Sequence, residues 1–365
     1  MISFELTEEQ QVVREAMHEF AEQVLRPAAR DADEVSELPD TLVAQLHELG
    51  LVSTQLPEEF GGGGEQRSPL TNAILLEELA WGDAAFATAA LAPAAFAFAI
   101  ADQGTQAQKT EWLPRFCAEK PHPAALALVE PSPLFDPNRL RTVAEPKGDD
   151  GYVLSGAKSC VPLGDRAQEF LVIARNNGGR DAFIVPRDAA GLSISEPEKK
   201  LGLKALPTVT LELERVEVSA AARLGGADGC DVQPLIDRAR VAKAAVLTGL
   251  SHAVLDNCVP YAKERRAFDQ AIAQKQTIAF RIADMQIETD AQRWLTWKAA
   301  ADLEHGRSAT RSAHHVGGYT AEKSMWIADN GVQVLGGHGF SREHLVELWY
   351  RNARTIGVLE GTLSV

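Results

Sequence analysis

The chain has 365 residues, 45% of them apolar and 24% charged, with 36 basic against 51 acidic side chains and a net charge of −15. That length exceeds what a single core serves, so two or three subdomains are expected. The acidic residues are spread along the chain, which argues against nucleic acid or an anionic membrane surface as partner; an anionic ligand would be met by local basic groups or helix N-termini.

Four cysteines, at 117, 160, 230 and 258, lie too far apart for a zinc or redox pair, so no metal is expected and a reducing cytosol fits. Met1-Ile-Ser-Phe-Glu-Leu-Thr7 is without a signal-peptide pattern. Residues 1–120 read as helices. Thr7-Glu-Glu-Gln10 is a capping signal before Val12, Val13, Met17, Phe20, Ala21 and Val24, a helical series that Pro27 is expected to stop. Leu42–Leu49 is a second amphipathic set. Gly61–Gly64 reads as a flexible linker rather than a phosphate loop. A helix from Leu70 leads through Trp81-Gly-Asp83 into the Ala- and Phe-rich segment 84–100, which holds Pro93 and is too short and too small in side-chain volume to favour a membrane span.

Between 121 and 228 the period changes. Short segments at 125–129, 152–154, 170–174, 182–185, 192–195 and 209–217, punctuated by Gly, Pro and Asp, read as strands of an antiparallel β domain. Helical spacing returns over 229–365, notably in Arg238–Lys263 and Gln276–Leu303, with a last helix near Ala321–Leu335. The result is an α+β chain of three parts, 1–120, 121–228 and 229–365.

The C-terminal 35 residues carry two candidate features. Glu360 follows the apolar run Ile356-Gly-Val-Leu359 and precedes Gly361-Thr362, so burial is expected to raise its pKa toward the range of a general base. Gly336, Gly337 and Gly339 let backbone N–H groups approach a phosphate, with Gln333 beside them. Taken alone, such a glutamate is more often a solvated helix end and such a glycine run more often an ordinary turn.

Gln333-Val-Leu-Gly-Gly-His-Gly339 followed by Glu360-Gly-Thr362 resembles the acyl-CoA dehydrogenase family, and so does the order of helices, strands and helical bundle. The resemblance implies an N-terminal helical domain, a middle antiparallel β domain and a C-terminal four-helix bundle, with FAD between the last two. It further implies α,β-dehydrogenation of an acyl-CoA, in which Glu360 takes the α-proton, the β-hydrogen leaves as hydride to flavin N5, and the Glu360 backbone N–H helps polarise the thioester. Some members carry the base at the position of Ala239, which cannot serve. Arg240, with Glu360 and Gly361, would meet the substrate.

For the cofactor, Ala127-Leu-Val-Glu-Pro131 is similar to the strand that holds the flavin pyrimidine, placing Leu128, Val129 and Glu130 at the ring. Arg265, Phe268 and Gln276 resemble the Arg-x-x-Phe-Gly…Gln stretch that pairs with the pyrophosphate of another subunit's flavin; Gln333, Gly336 and Gly337 resemble the loop that reaches the same cofactor, and Thr362 closes the site. The departures are local. Ser132-Pro-Leu-Phe-Asp136 replaces Gly-Ala-Gly-Ser-Asp, with Ser132 a shifted substitute; Cys160-Val-Pro162 replaces Trp-Ile-Thr at the ring, and Asp269 replaces a glycine. The partners implied are an acyl-CoA, an electron-transfer flavoprotein and further subunits in a dimer of dimers, in the cytoplasm. The alternatives are a divergent subunit of a heterotetramer with an incomplete flavin site, and a flavin-free acyl-thioester-binding homologue.

Overall fold

A computed structural model describes residues 5–148 and 151–365; the Met1–Phe4 part of the N-terminal stretch lies outside the described residues. α1 (Glu8–Phe20) starts on a capping box in which Thr7 and Gln10 exchange side-chain and backbone bonds. Pro27 does not end the series. The chain widens into a π turn over Ala21–Leu25 and continues as α2 (Arg26–Val35), with Pro27 directly after the widened turn. α3 (Asp40–Glu48) follows. The Gly61–Gly64 run is a packed turn and not a flexible linker: the N–H groups of Gly62, Gly63 and Gly64 donate to the carbonyls of Pro57, Ser53 and Leu56, and a Cβ at Gly62 would lie 2.2 Å from the Leu56 oxygen.

α4 (Pro69–Gly82) and α5 (Ala84–Gln103) form the centre of the N-terminal part, and α6 (Gln106–Phe116) closes it. α5 runs on through Pro93 for 20 residues, long and apolar enough by composition to cross a membrane, yet 83% of its apolar window is buried inside the protein. A core helix has the same composition because it too meets no water.

The middle part is a sheet of β1 (Ala124–Ala127), β2 (Val143–Pro146), β3 (Gly151–Pro162), β4 (Glu169–Asn176), β5 (Gly179–Pro186), β6 (Leu192–Ile194) and β7 (Thr208–Ser219), in the order β1-β4-β2-β3-β7-β6 with β5 on β4. Its pairings are antiparallel except for β1 with β4 and a single bridge of β2 to β4. One face, with Phe170, Val172, Phe183 and Leu211, makes its own core.

The C-terminal part packs α7 (Val232–Glu264), α8 (Gln276–Glu304), α9 (Thr310–Leu335) and α10 (Val346–Ile356), with the small hairpin β8 (Arg266–Ala267) and β9 (Gln270–Ala271) between α7 and α8. α9 begins earlier than its apolar spacing suggests, and α10 is not expected from the sequence at all. Inside the bundle the Ser251 and Ser324 hydroxyls lie 3.2 and 2.7 Å from the Gln292 side-chain oxygen and 2.9 Å from each other, so three helices meet at one buried polar cluster. Arg293 of α8 donates to the buried Glu77 of α4 at 2.6 Å, and Arg351 of α10 holds Asp33 of α2. These ion pairs join the two helical parts around the sheet.

Candidate active site

The chain leaves α10 at Gly357 and turns inward: Leu359 is 2% exposed, and Gly361 adopts φ +68° directly over Leu128. A Cβ at Gly361 would lie 2.8 Å from Leu128 Cδ2 and 2.9 Å from its Cβ, so both conformation and space require glycine there. Glu360 therefore faces α7. Lys243 Nζ donates to Glu360 Oε2 at 3.0 Å and to the Leu359 carbonyl at 2.9 Å, while Arg240 Nε donates to Oε1. Arg240 and Lys243 stand three residues apart on α7 and so share one face.

Burial pushes the Glu360 carboxyl upward, as its apolar surroundings suggest, but Lys243 and Arg240 outweigh burial and hold it below the usual carboxylate range. The expectation of a raised value is corrected on this point. One opposite charge at 4 Å is worth about 4 kcal/mol where the effective dielectric is about 20, and two of them offset a desolvation cost of several kcal/mol. Sequence reasoning missed Lys243. Its signal is a lone lysine, three residues after Arg240, in the otherwise apolar run Val241–Leu247.

On the sheet side, Leu128, Val129 and Glu130 are buried. Lys158, 0% exposed, donates to the Leu128 carbonyl at 3.1 Å and to Glu130 at 2.9 Å. Glu130 also accepts the backbone N–H groups of Arg141 and Thr142. Burial lowers the Lys158 ammonium to about 8, with Glu130 opposing it. The Glu130 carboxylate thus ties β1 to the following loop and faces the protein interior. Ser132, half-buried, lines a hollow of about 310 Å³ with Phe135, Asp136, Arg139 and Arg141.

Cys160 sits in a bulge of β3 at φ +55°, and its N–H donates to Glu198 at 3.2 Å. Glu198 accepts the hydroxyls of Thr208 and Thr210 as well. Burial and Glu198 push the Cys160 thiol up to about 11, so it is a packing group rather than a nucleophile. Pro162 is buried opposite Thr208 and has no N–H to offer.

The remaining residues gather at the far end of α7. Arg265 caps that helix and is exposed, as are Gln276 at the start of α8, Gln333 at the end of α9, Gly336 and Gly337. The Tyr261 hydroxyl joins the two segments, donating to the Leu335 carbonyl at 3.2 Å and meeting the His338 ring at 3.0 Å. Nothing lies within 4 Å of a Cβ built at Gly336 or Gly337. Phe268 is 89% exposed, and both it and Asp269 hold positive φ in the β8–β9 turn. Lys243 and the α7 cap Arg265 are 22 residue steps apart (265 − 243), roughly 33 Å at about 1.5 Å per residue. One chain therefore does not bring Glu360, Gly361 and Thr362 together with Arg265, Phe268, Gln276 and the glycine loop.

Family models describing the N-terminal, middle and C-terminal domains of acyl-CoA dehydrogenase match residues 7–120, 125–216 and 231–365. A probable acyl-CoA dehydrogenase of Bacillus subtilis is 33% identical over 100% of this chain and 97% of its own length. A 3-(aryl)acrylate reductase of Clostridium sporogenes is 30% identical over 98% and 96%. The structure of butyryl-CoA dehydrogenase from Megasphaera elsdenii superposes with a TM-score of 0.89 at 29% identity, covering 98% of this chain and 95% of that one. The chain belongs to the acyl-CoA dehydrogenase family.

Membership makes this acyl-CoA dehydrogenase homologue an oxidoreductase and a flavoprotein, with FAD as cofactor. Its residues fit FAD unequally. Arg265, Gln333, Gly336 and Gly337 are each exposed, and a guanidinium, an amide and an unobstructed glycine backbone suit phosphate. The surface of Cys160, Pro162 and Thr208 does not offer a ring the usual donors: Cys160 N–H and the Thr208 hydroxyl are bonded to Glu198, and Pro162 has none.

Proposed function

We propose that this protein dehydrogenates an acyl-CoA between Cα and Cβ, with Glu360 as the base that takes the α-proton. The observation that carries the reading is the placement of Glu360: it is largely buried on a glycine turn against Leu128, with both oxygens directed at cations of α7. The alternative position on α7 is Ala239, which has no proton acceptor. Because the pair with Lys243 and Arg240 keeps Glu360 ionised at neutral pH, the base is already in its accepting form. Each carboxylate oxygen spends one lone pair on its cation and keeps a second lone-pair site for the incoming proton. Bound FAD supplies the acceptor for the β-hydrogen. Arg265, Gln333, Gly336 and Gly337 would hold its phosphates from a neighbouring subunit, so the proposal includes a dimer of dimers.

The domain limits 1–120, 121–228 and 229–365, a cytoplasmic location and an electron-transfer flavoprotein as acceptor belong to the same reading. A structural neighbour at 29% identity and a TM-score of 0.88 comes from work on an electron transferring flavoprotein of Acidaminococcus fermentans. A second reading, a divergent subunit completing the flavin site of a related chain, is favoured by Cys160, Pro162 and the Glu198 bonds at the ring surface. Glu360→Gln tests the first. It should lower turnover roughly 10²- to 10⁴-fold with acyl-CoA binding kept, since the amide preserves shape and cannot accept the proton. Turnover at the wild-type rate would remove Glu360 from the mechanism.

A further inference from the structure

Among the groups that the sequence does not single out, Lys243 is the one bonded to Glu360. It is 7% exposed on α7, in a run where Val241, Ala242, Ala244, Ala245, Val246 and Leu247 are completely buried. An ammonium in such a place is costly unless it is paired and hydrogen-bonded. Both conditions are met by one segment of chain: the Leu359 carbonyl and Glu360 Oε2 lie 2.9 and 3.0 Å away. Arg240 engages only the other carboxylate oxygen. Each oxygen therefore has its own cation, and the plane of the carboxylate is fixed by two bonds from one helix face.

We propose that Lys243 is a positioning residue for Glu360, bridging the carboxylate and the carbonyl of residue 359 so that one ammonium holds both the base and the turn that carries it to α7. The proposal rests on reading Glu360 as the base. An apolar residue at 243 would fill the space and leave a buried carbonyl unpaired and one carboxylate oxygen without a cation. The charged groups against Glu360 are Arg240 and Lys243 from α7; across the turn, Gly361 rests on Leu128, whose carbonyl is held by Lys158, itself paired with Glu130.

The pair has a consequence for the proton transfer. The substrate Cα–H bond breaks, its proton forms an O–H bond on Glu360, and the electron pair stays with the substrate as an enolate. Glu360 then no longer compensates Lys243 and Arg240. Two uncompensated cations beside the reacting atoms favour the anionic substrate, where a single arginine would do so less.

The test is an infrared titration of the purified protein, with the Glu360 carboxylate band identified by difference from Glu360→Gln. Wild-type should titrate below the usual carboxylate range. Lys243→Met should raise the midpoint by a pH unit or more, a tenfold or greater gain in proton affinity, and Lys243→Arg should remain near wild-type because it keeps the charge. Should the Met variant not fold, Lys243→Gln carries the same expectation. Hydrogen exchange at residues 358–365 should accelerate in the neutral variants and not in the Arg variant. An unchanged midpoint in the neutral variants, or an equal rise in the Arg variant, overturns the proposal. The titration needs no substrate, so its failure is distinct from a Glu360→Gln variant that still turns over.

Discussion

At Gly361 the backbone must be left-handed and must also lie flat on Leu128, with no room for a methyl group. Gly361→Ala should therefore combine about 1–2 kcal/mol of left-handed strain with displacement of the turn. A lower urea midpoint together with reduced turnover is the expected outcome, because the same turn aims Glu360 at Lys243 and Arg240. Stability lost without any change in turnover would show that the turn tolerates the shift. At this scale the carboxylate itself was legible: an acid after an apolar run and before glycine is buried, as its neighbours require. Its proton affinity was not legible, because it is set by Lys243 and Arg240, more than a hundred residues earlier and brought near only by the packing of the bundle.

Among the elements, the β8–β9 turn carries Asp269 where the resemblance implies a glycine. Phe268 and Asp269 both hold positive φ, and Asp269 has a side chain where glycine carries neither strain nor charge. Asp269→Gly should tighten FAD binding, and the gain should shrink as salt rises, since a Coulomb penalty at an exposed site is screened. Equal affinity at low and high salt in both proteins would separate Asp269 from the phosphates. The long helices were readable because capping and apolar period agree, as at Thr7–Gln10. The failures have local causes: the π turn at Ala21–Leu25 absorbs Pro27, backbone hydrogen bonds pin the glycines at 61–64, and α10 is set by docking on α9, not by a capping signal. The parallel pairing of β1 with β4 depends on crossovers that short apolar segments do not encode.

For the whole molecule, the proposed assembly follows from the separation of roughly 33 Å along α7 between Lys243 and Arg265. A flavin site that uses both ends needs more than one chain, so solution scattering should give at least a dimer and, with FAD bound, a dimer of dimers. A monomer at full FAD occupancy would contradict the intersubunit role of Arg265 and the glycine loop. The three-part order of helices, sheet and bundle was legible from the changes of hydrophobic period along the chain, because each period answers to a different packing surface. The occupied donors at Cys160 and Thr208 were not, since Glu198 reaches them from the loop between β6 and β7.

The central claim is that this chain oxidises an acyl-CoA through FAD with Glu360 as base. It is tested most directly by the absorption spectrum of the purified protein, recorded alone and after anaerobic mixing with a panel of acyl-CoAs. A flavin spectrum that bleaches with at least one acyl-CoA in wild-type, and with none in Glu360→Gln, is the predicted result. A protein that binds acyl-CoA but carries no flavin, even after incubation with FAD, or whose flavin bleaches equally in both proteins, would contradict it.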